Sequence, residues 1–424
     1  MDLLQQLRVS LESSEMPENV EINPVTDQTE TELDQALAEV EQAESDVASA
    51  EVNETVLEAA ADGVEETTEA IEDEIEEKGE ISQESYAKYD LALRNATRLL
   101  PLDHSRYQVS QESFVQFDGR TVSMEALDKA KEMLAKLWQA VKDAVTKVWG
   151  AIREWFARLG KSGAALIAAG NDLKKRASAA RGKTAKNDKI DATAAARLLH
   201  DEGKFDSVAT AISGLATSVT VGREGGQILT EAAAEYTKQM ASVARLGVAE
   251  TSTISFDKEF VEAVSGFKEA YKKYDGKKST GGYVFHVESV SGGLGVSLTQ
   301  DTKFEGDATI ATPTPEQVSA LGQAIVDAGT FVKDFDKKYF KDFDKTLVSD
   351  LNKARSSVNK ELSDSEQKRT KIFLALIRFS SGAFKKPMPA YVGNVANQAK
   401  AAYKLGRKAL AQYGEPAGTS VATR

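Results

Sequence analysis

The segment "ALDKAKEMLAKLWQAVKDAVTKVWGAIREWFARL" (126–159) does most to fix what this chain can become. Its apolar residues are Leu127, Ala130, Leu134, Leu137, Trp138, Val141, Val145, Val148, Trp149, Ile152, Trp155, Phe156 and Leu159. They recur in steps of three and four, which draws one broad stripe along an α-helix. At about 1.5 Å per residue such a helix would run roughly 50 Å. Trp138, Trp149 and Trp155, the three tryptophans of the chain, all lie on the stripe, and the other face carries Lys129, Lys131, Lys136, Lys142, Lys147, Arg153 and Arg158 against four acids. The simplest reading is the core helix of a helical bundle. A basic helix with Trp anchors on its apolar side also suits a membrane interface.

Charge is divided along the chain. The net charge is −13, but residues 1–125 hold 32 acids and 7 bases, whereas 126–424 hold 34 acids and 46 bases. Most of the acidic excess lies in 1–84, where Arg8 and Lys78 are the two bases. An acidic arm therefore precedes a basic body. The arm has no aromatic residue between 12 and 80, and "EETTEAIEDEIEEKGE" (65–80) offers little apolar surface against its ordering entropy, so disorder is expected there. Parts of 31–80 place Leu, Val and Ala at loose helical spacing, which suits a transient or partner-induced helix. Leu3, Leu4, Leu7 and Leu11 make a short apolar face, either a docking peptide or a frayed helix end.

The two charge regimes meet where a phrase repeats. "SQESYAKYD" (82–90) and "SQESFVQFD" (110–118) share Ser-Gln-Glu-Ser, two aromatics and Asp, and "SME" (123–125) repeats Ser-x-Glu once more. An extended, exposed junction is where a protease finds its substrate. On this reading the aromatics of the phrase matter little to the fold. Loss of the arm would turn the net charge from −13 to about +12 and release an attraction for polyanions.

Within the body, "NDLKKRASAARGKTAKNDKI" (171–190) is the densest basic patch, with Lys174, Lys175, Arg176, Arg181, Lys183, Lys186 and Lys189. It is either a phosphate-backbone contact or a solvated helix face. "GKT" (182–184) lacks the glycine that a phosphate loop places four residues before its lysine. The stretch 192–275 reads as helices broken at Gly203, "GREGG" (222–226) and Gly247, with "FDKEFVEAVSGFKEAYKKYD" (256–275) at helical spacing. Val, Thr, aromatics and Gly across 281–313 predict a β-hairpin or small meander inserted between helices, with His286 as a cross-strand packing residue. Pro315 then opens a new helix. "KAAYKLGRKALAQYG" (400–414) is a basic helix carrying Lys400, Lys404, Arg407 and Lys408, and its charge and that of the 171–190 patch could meet on one surface.

Catalytic chemistry finds no footing. There is no Cys, and His104, His200 and His286 are far apart without ligand-like spacing, so neither a metal centre nor a cofactor is expected. Carboxylates are plentiful in the arm, but an arm without a core cannot hold a pair in fixed geometry. No stretch reaches the length of an apolar membrane span and the start is not a secretory signal, so synthesis in a cytoplasm and a soluble state there are expected.

Taken together, the charge inversion, the Ser-x-Glu cluster, the Trp-bearing helix and the basic C-terminal helix resemble the internal head (inner-body or prohead-core) proteins of phiKZ-like giant tailed bacteriophages. The resemblance implies an acidic propeptide removed by a prohead protease that cuts after Glu in a small-x-Glu motif. The matching residues are Ser82-Gln83-Glu84, Ser110-Gln111-Glu112 and Ser123-Met124-Glu125, with weaker matches at Ser13-Ser14-Glu15 and Ser49-Ala50-Glu51. It further implies a non-enzymatic structural protein of the virion, with the prohead protease, other core or capsid proteins and packaged DNA as partners, and ejection into the host as a later fate. Two competing readings are a membrane-active protein unmasked by loss of the arm and an assembly scaffold acting through the arm.

The expected architecture is mainly α. A disordered acidic arm (1–84) and a processing junction (85–125) precede a helical domain (126–280), a β insertion (281–313) and a C-terminal helical region (314–424).

Overall fold

The computed structural model describes residues 28–98, 100, 118–245, 272–290, 293–341, 344–346, 349 and 387–414. The described residues are mainly helical with two small two-stranded sheets. The 126–159 stripe belongs to a much longer helix, α3 (Gly119–Ala180). Its 62 residues run about 93 Å, and the helices Gln28–Lys78, Pro315–Phe335 and Pro387–Ala411 pack against it. Leu127, Leu137, Val141, Val145, Val148, Trp149, Ile152, Trp155, Phe156 and Leu159 are buried, as the bundle-core reading requires.

The arm departs from expectation. Residues Gln28–Lys78 form α1, a 51-residue helix lying antiparallel along α3: Glu72 pairs with Lys131 at 2.6 Å near one end and Glu39 with Lys161 at 3.9 Å towards the other. The expectation of disorder is therefore corrected for 28–78, and the partner that orders the helix is the chain itself. The physical reason is a seven-residue repeat. Leu33, Val40, Val47, Glu54, Ala61, Thr68 and Ile75 occupy one seam position, and Ala43, Ala50, Leu57, Val64 and Ile71 the other. Leu33, Val64 and Ile71 are fully covered, each worth about 1.5–3 kcal/mol of transfer free energy, which local composition does not reveal. The leucine-rich start, residues 110–117 and most of 256–275 lie outside the described residues.

α2 (Gln83–Ala96) folds back on α1, where Gly63 leaves room for Ala96. Ser82 caps it, accepting the Ser85 N–H at 3.0 Å. The aromatics of "SQESYAKYD" do matter to the fold: Tyr86 is buried, and the Tyr89 hydroxyl donates to Glu74 Oε2 at 2.7 Å and Ala70 O at 3.1 Å.

Beyond position 159 α3 continues without a break through the glycine-bounded "GKSGAALIAAG". Its glycines face α6 (Pro315–Phe335), which starts on the expected proline with a Thr314–Gln317 capping box. A Cβ on Gly170 would lie 2.6 Å from the Gly322 carbonyl oxygen, and one on Gly163 2.7 Å from that of Gly329. The two backbones thus touch where side chains are absent, which offsets the low helix propensity of glycine. "GREGG" is likewise no break, because α5 (Val208–Arg245) passes through it. Gly222 receives the ring of Phe331, and Gly226 the ring of Tyr339 in a π-helical turn (Asp336–Phe340) that follows α6.

The hairpin is found where expected: β2 (Tyr283–Val290) pairs antiparallel with β3 (Gly293–Gln300), with His286 opposite Ser297. The end of the insertion does something else. β4 (Thr309–Ala311) pairs with β1 (Lys189–Asp191), Ile310 opposite Ile190, closing the basic 181–191 loop onto the body. β1 leads into the short α4 (Thr193–Leu199). α7 (Pro387–Ala411) crosses α3 where Gly406 meets Leu173 and is pinned by its tyrosines. Tyr391 is fully buried, donates to Ser218 O at 2.8 Å and lies 2.6 Å from Ser279 Oγ. Tyr413, just beyond the helix, bonds Pro313 O at 3.0 Å.

Candidate processing junction and basic surface

The chain between α1 and α2 is short: Gly79 turns at φ 82, and residues 79–82 carry no helix. Ser82 is exposed there, and Gln83 and Glu84, which open α2, are exposed beside it. Glu84 pairs with Lys88 at 2.9 Å, and that hydrogen bond holds its carboxyl below the usual carboxylate range. Behind the exposed triplet the junction is anchored. Ile81 is buried, and Ser85 Oγ donates to Glu74 Oε1 at 2.8 Å. Glu74 is lowered, first by the Tyr89 hydroxyl, and Tyr89 is pushed up to about 12 by burial and by that carboxylate.

The third Ser-x-Glu is placed differently. Ser123, Met124 and Glu125 sit inside the second turn of α3, and Ser123 is wholly buried. Ser110, Gln111 and Glu112 lie outside the described residues. Ser49-Ala50-Glu51 is within α1.

The structure brings the two basic segments together. Lys186 N donates to Gln412 O at 2.7 Å, Asn187 to the Gln412 side chain at 2.8 Å, and Lys408 reaches Asp191 at 2.7 Å. Asp191 is lowered to about 2, chiefly by Lys408 and then by Thr193. Several cations carry local partners: Arg176 pairs with Asp172 at 2.7 Å, Arg181 with Glu316 at 3.7 Å and Arg407 with Asp172 at 3.9 Å, while Lys174 bonds Gln323 at 2.6 Å. Lys175, Lys183, Lys186 and Lys189 are exposed and make no ion pair among the described residues.

Two cations of α7 pair with the arm. Lys400 lies 2.9 Å from Asp34, and Lys404 lies 3.8 Å from both Glu30 and Asp34. Arg158 adds a hydrogen bond to the Glu39 carbonyl at 3.2 Å. No spacing rule in the sequence pairs residue 34 with residue 400, so this contact was out of reach before the fold.

The tryptophans are core residues. Trp149 stacks on Phe340 with centroids 5.2 Å apart and donates to Asp344 at 2.8 Å; Trp155 is buried against Phe156, and Trp138 is half-buried. Lys142, placed by the sequence on the polar face, is instead buried, and that burial lowers it to about 8. No helix among the described residues is long and apolar enough to cross a membrane, and no cluster there could hold a metal ion.

No curated protein and no solved structure matches the chain. The family model of phiKZ-like phage internal head proteins matches residues 19–405, most of its length. That match over most of its length makes this chain a member of the phiKZ-like phage internal head proteins.

Proposed function

We propose that this structural protein of the phage head interior is made with α1 as a removable acidic helix, cut after Glu84 by a prohead protease, and that the remaining body is packaged against DNA. The family places the chain inside the capsid. The observation that carries the finer reading is the contrast between two Ser-x-Glu triplets. Ser82-Gln83-Glu84 is exposed at the break between α1 and α2, with Ser82 as the cap and Gln83 and Glu84 in the first turn of α2, whereas Ser123 is buried within α3. A protease needs several residues of extended chain, and opening a loop costs far less than unwinding a packed helix. A cut after Glu84 severs α1 from the rest of the chain and leaves α3 whole.

The arm acts as a folded counter-charge, since Asp34, Glu39 and Glu72 each meet a cation of the body. Its removal frees those cations, and Lys400 and Lys404 share α7 with the end that meets the 186–191 segment, a surface suited to phosphate contacts without base readout. Other core or capsid proteins are the second class of partner, and ejection with the DNA follows from packaging alongside it.

Peptide mass spectrometry of proheads and DNA-filled heads tests this reading. Tryptic peptides from 28–78 are expected in proheads and absent from mature particles. Equal abundance in both would refute the processing.

A further inference from the structure

A groove of about 420 Å³ lies between α4 and α7, with Lys400, Lys404 and Lys408 along one wall. We propose that this groove binds the phosphate groups of a DNA backbone, and that α1 keeps it occupied by presenting its own carboxylates to the same lysines. The inference rests on the DNA-contact reading above and adds to it the site and the competitor.

The three lysines are spaced four residues apart, so they share one face of α7 at intervals of about 6 Å. Lys408 is held by Asp191, whose other oxygen is taken by the Thr193 N–H and hydroxyl. Lys400 and Lys404 face Asp34 and Glu30, and Glu41 also lines the groove. All three of these acids belong to α1. The groove wall carries one more donor, Asn394 Nδ2, which is buried without a hydrogen-bond partner among the described residues. A buried amide in that state favours any ligand that supplies an acceptor.

The ion pairs themselves are weak, because both sides remain partly exposed. What keeps the carboxylates in place is the apolar seam of α1 on α3. The acids can therefore be neutralised in the intact chain without detaching the helix.

The test measures binding of a short labelled DNA duplex to the full chain across a salt series. The triple variant Glu30→Gln/Asp34→Asn/Glu41→Gln should bind about tenfold tighter than wild type at low salt. Its log K against log salt slope should steepen by about 1.8, the value for two added phosphate contacts. Adding Lys400→Gln and Lys404→Gln should return both quantities to wild type. Thermal melting checks that each variant is folded. The inference is overturned if the triple variant binds no tighter, or if its gain survives loss of the two lysines. Should wild type bind duplex through the exposed 175–189 lysines while the triple variant gains nothing, only the groove falls. Should no form bind, the DNA reading falls with it.

Discussion

Ser123 Oγ accepts the backbone N–H of Ile81 at 2.8 Å across 42 residues of sequence, while donating to Gly119 O at 2.7 Å. One hydroxyl thus fastens the chain leaving α1 to the first turn of α3. The same serine that looked like part of a cleavage motif closes a buried hydrogen-bond account at the base of the helical pair.

Limited proteolysis of the full chain with a Glu-specific protease should therefore cut after Glu84 well before Glu125. The first fragments, read by intact mass, are expected to break at the α1–α2 junction. Early cleavage after Glu125 would mean that the start of α3 opens more readily than its burial allows.

Ser123→Val should destabilise the fold by about 1–3 kcal/mol, since it leaves the Ile81 N–H buried and unpaired. Urea unfolding measures this. Met124→Ser, at an exposed neighbour, should change stability by less than about 0.5 kcal/mol.

The glycine crossing of α3 on α6 makes a paired prediction. Gly170→Val would push side-chain atoms into the Gly322 carbonyl and should cost about 3 kcal/mol or more, because backbone rather than a flexible side chain must yield. Gly150 lies on the same helix with nothing within 4 Å of an added Cβ. Gly150→Ala should stabilise by about 0.5–1 kcal/mol through helix propensity alone. Thermal melts of the two variants should move in opposite directions.

Lys142 gives a pH signature. Its folded value of about 8 lies below the ordinary lysine value of 10.5, because burial disfavours the ammonium. Between these values the unfolded chain holds a proton that the folded chain has released, so stability rises with pH across that window. Lys142→Met should remove this rise and stabilise the protein near neutrality by about 1–3 kcal/mol. The check is the difference between wild-type and variant unfolding curves from pH 7 to 10.5, which cancels other alkaline titrations. Parallel curves would contradict the assignment.

How far these features were legible depended on where the stabilising contacts lie. The 126–159 stripe announces itself because Leu, Val and Trp repeat on one face, and the β2–β3 hairpin because its β-formers are local. The α1 seam is quieter: Ala43, Ala50, Ala61, Glu54 and Thr68 fill five of its twelve positions, and its apolar character exists only against α3. Glycine misled for the same reason. Gly222 and Gly226 read as breaks, but they are the places where the rings of Phe331 and Tyr339 come closest. The arm's charge was legible as a sum, while the pairing of Asp34 with Lys400 required the helices to be in place.

The central claim is that the acidic helix is cut from the body at the exposed junction, and the N-terminal residue of the chain carried in DNA-filled heads tests it most directly. Sequencing by Edman degradation or mass spectrometry should return Ser85 as the first residue. A chain that begins within or before 28–78 in mature particles would contradict the account.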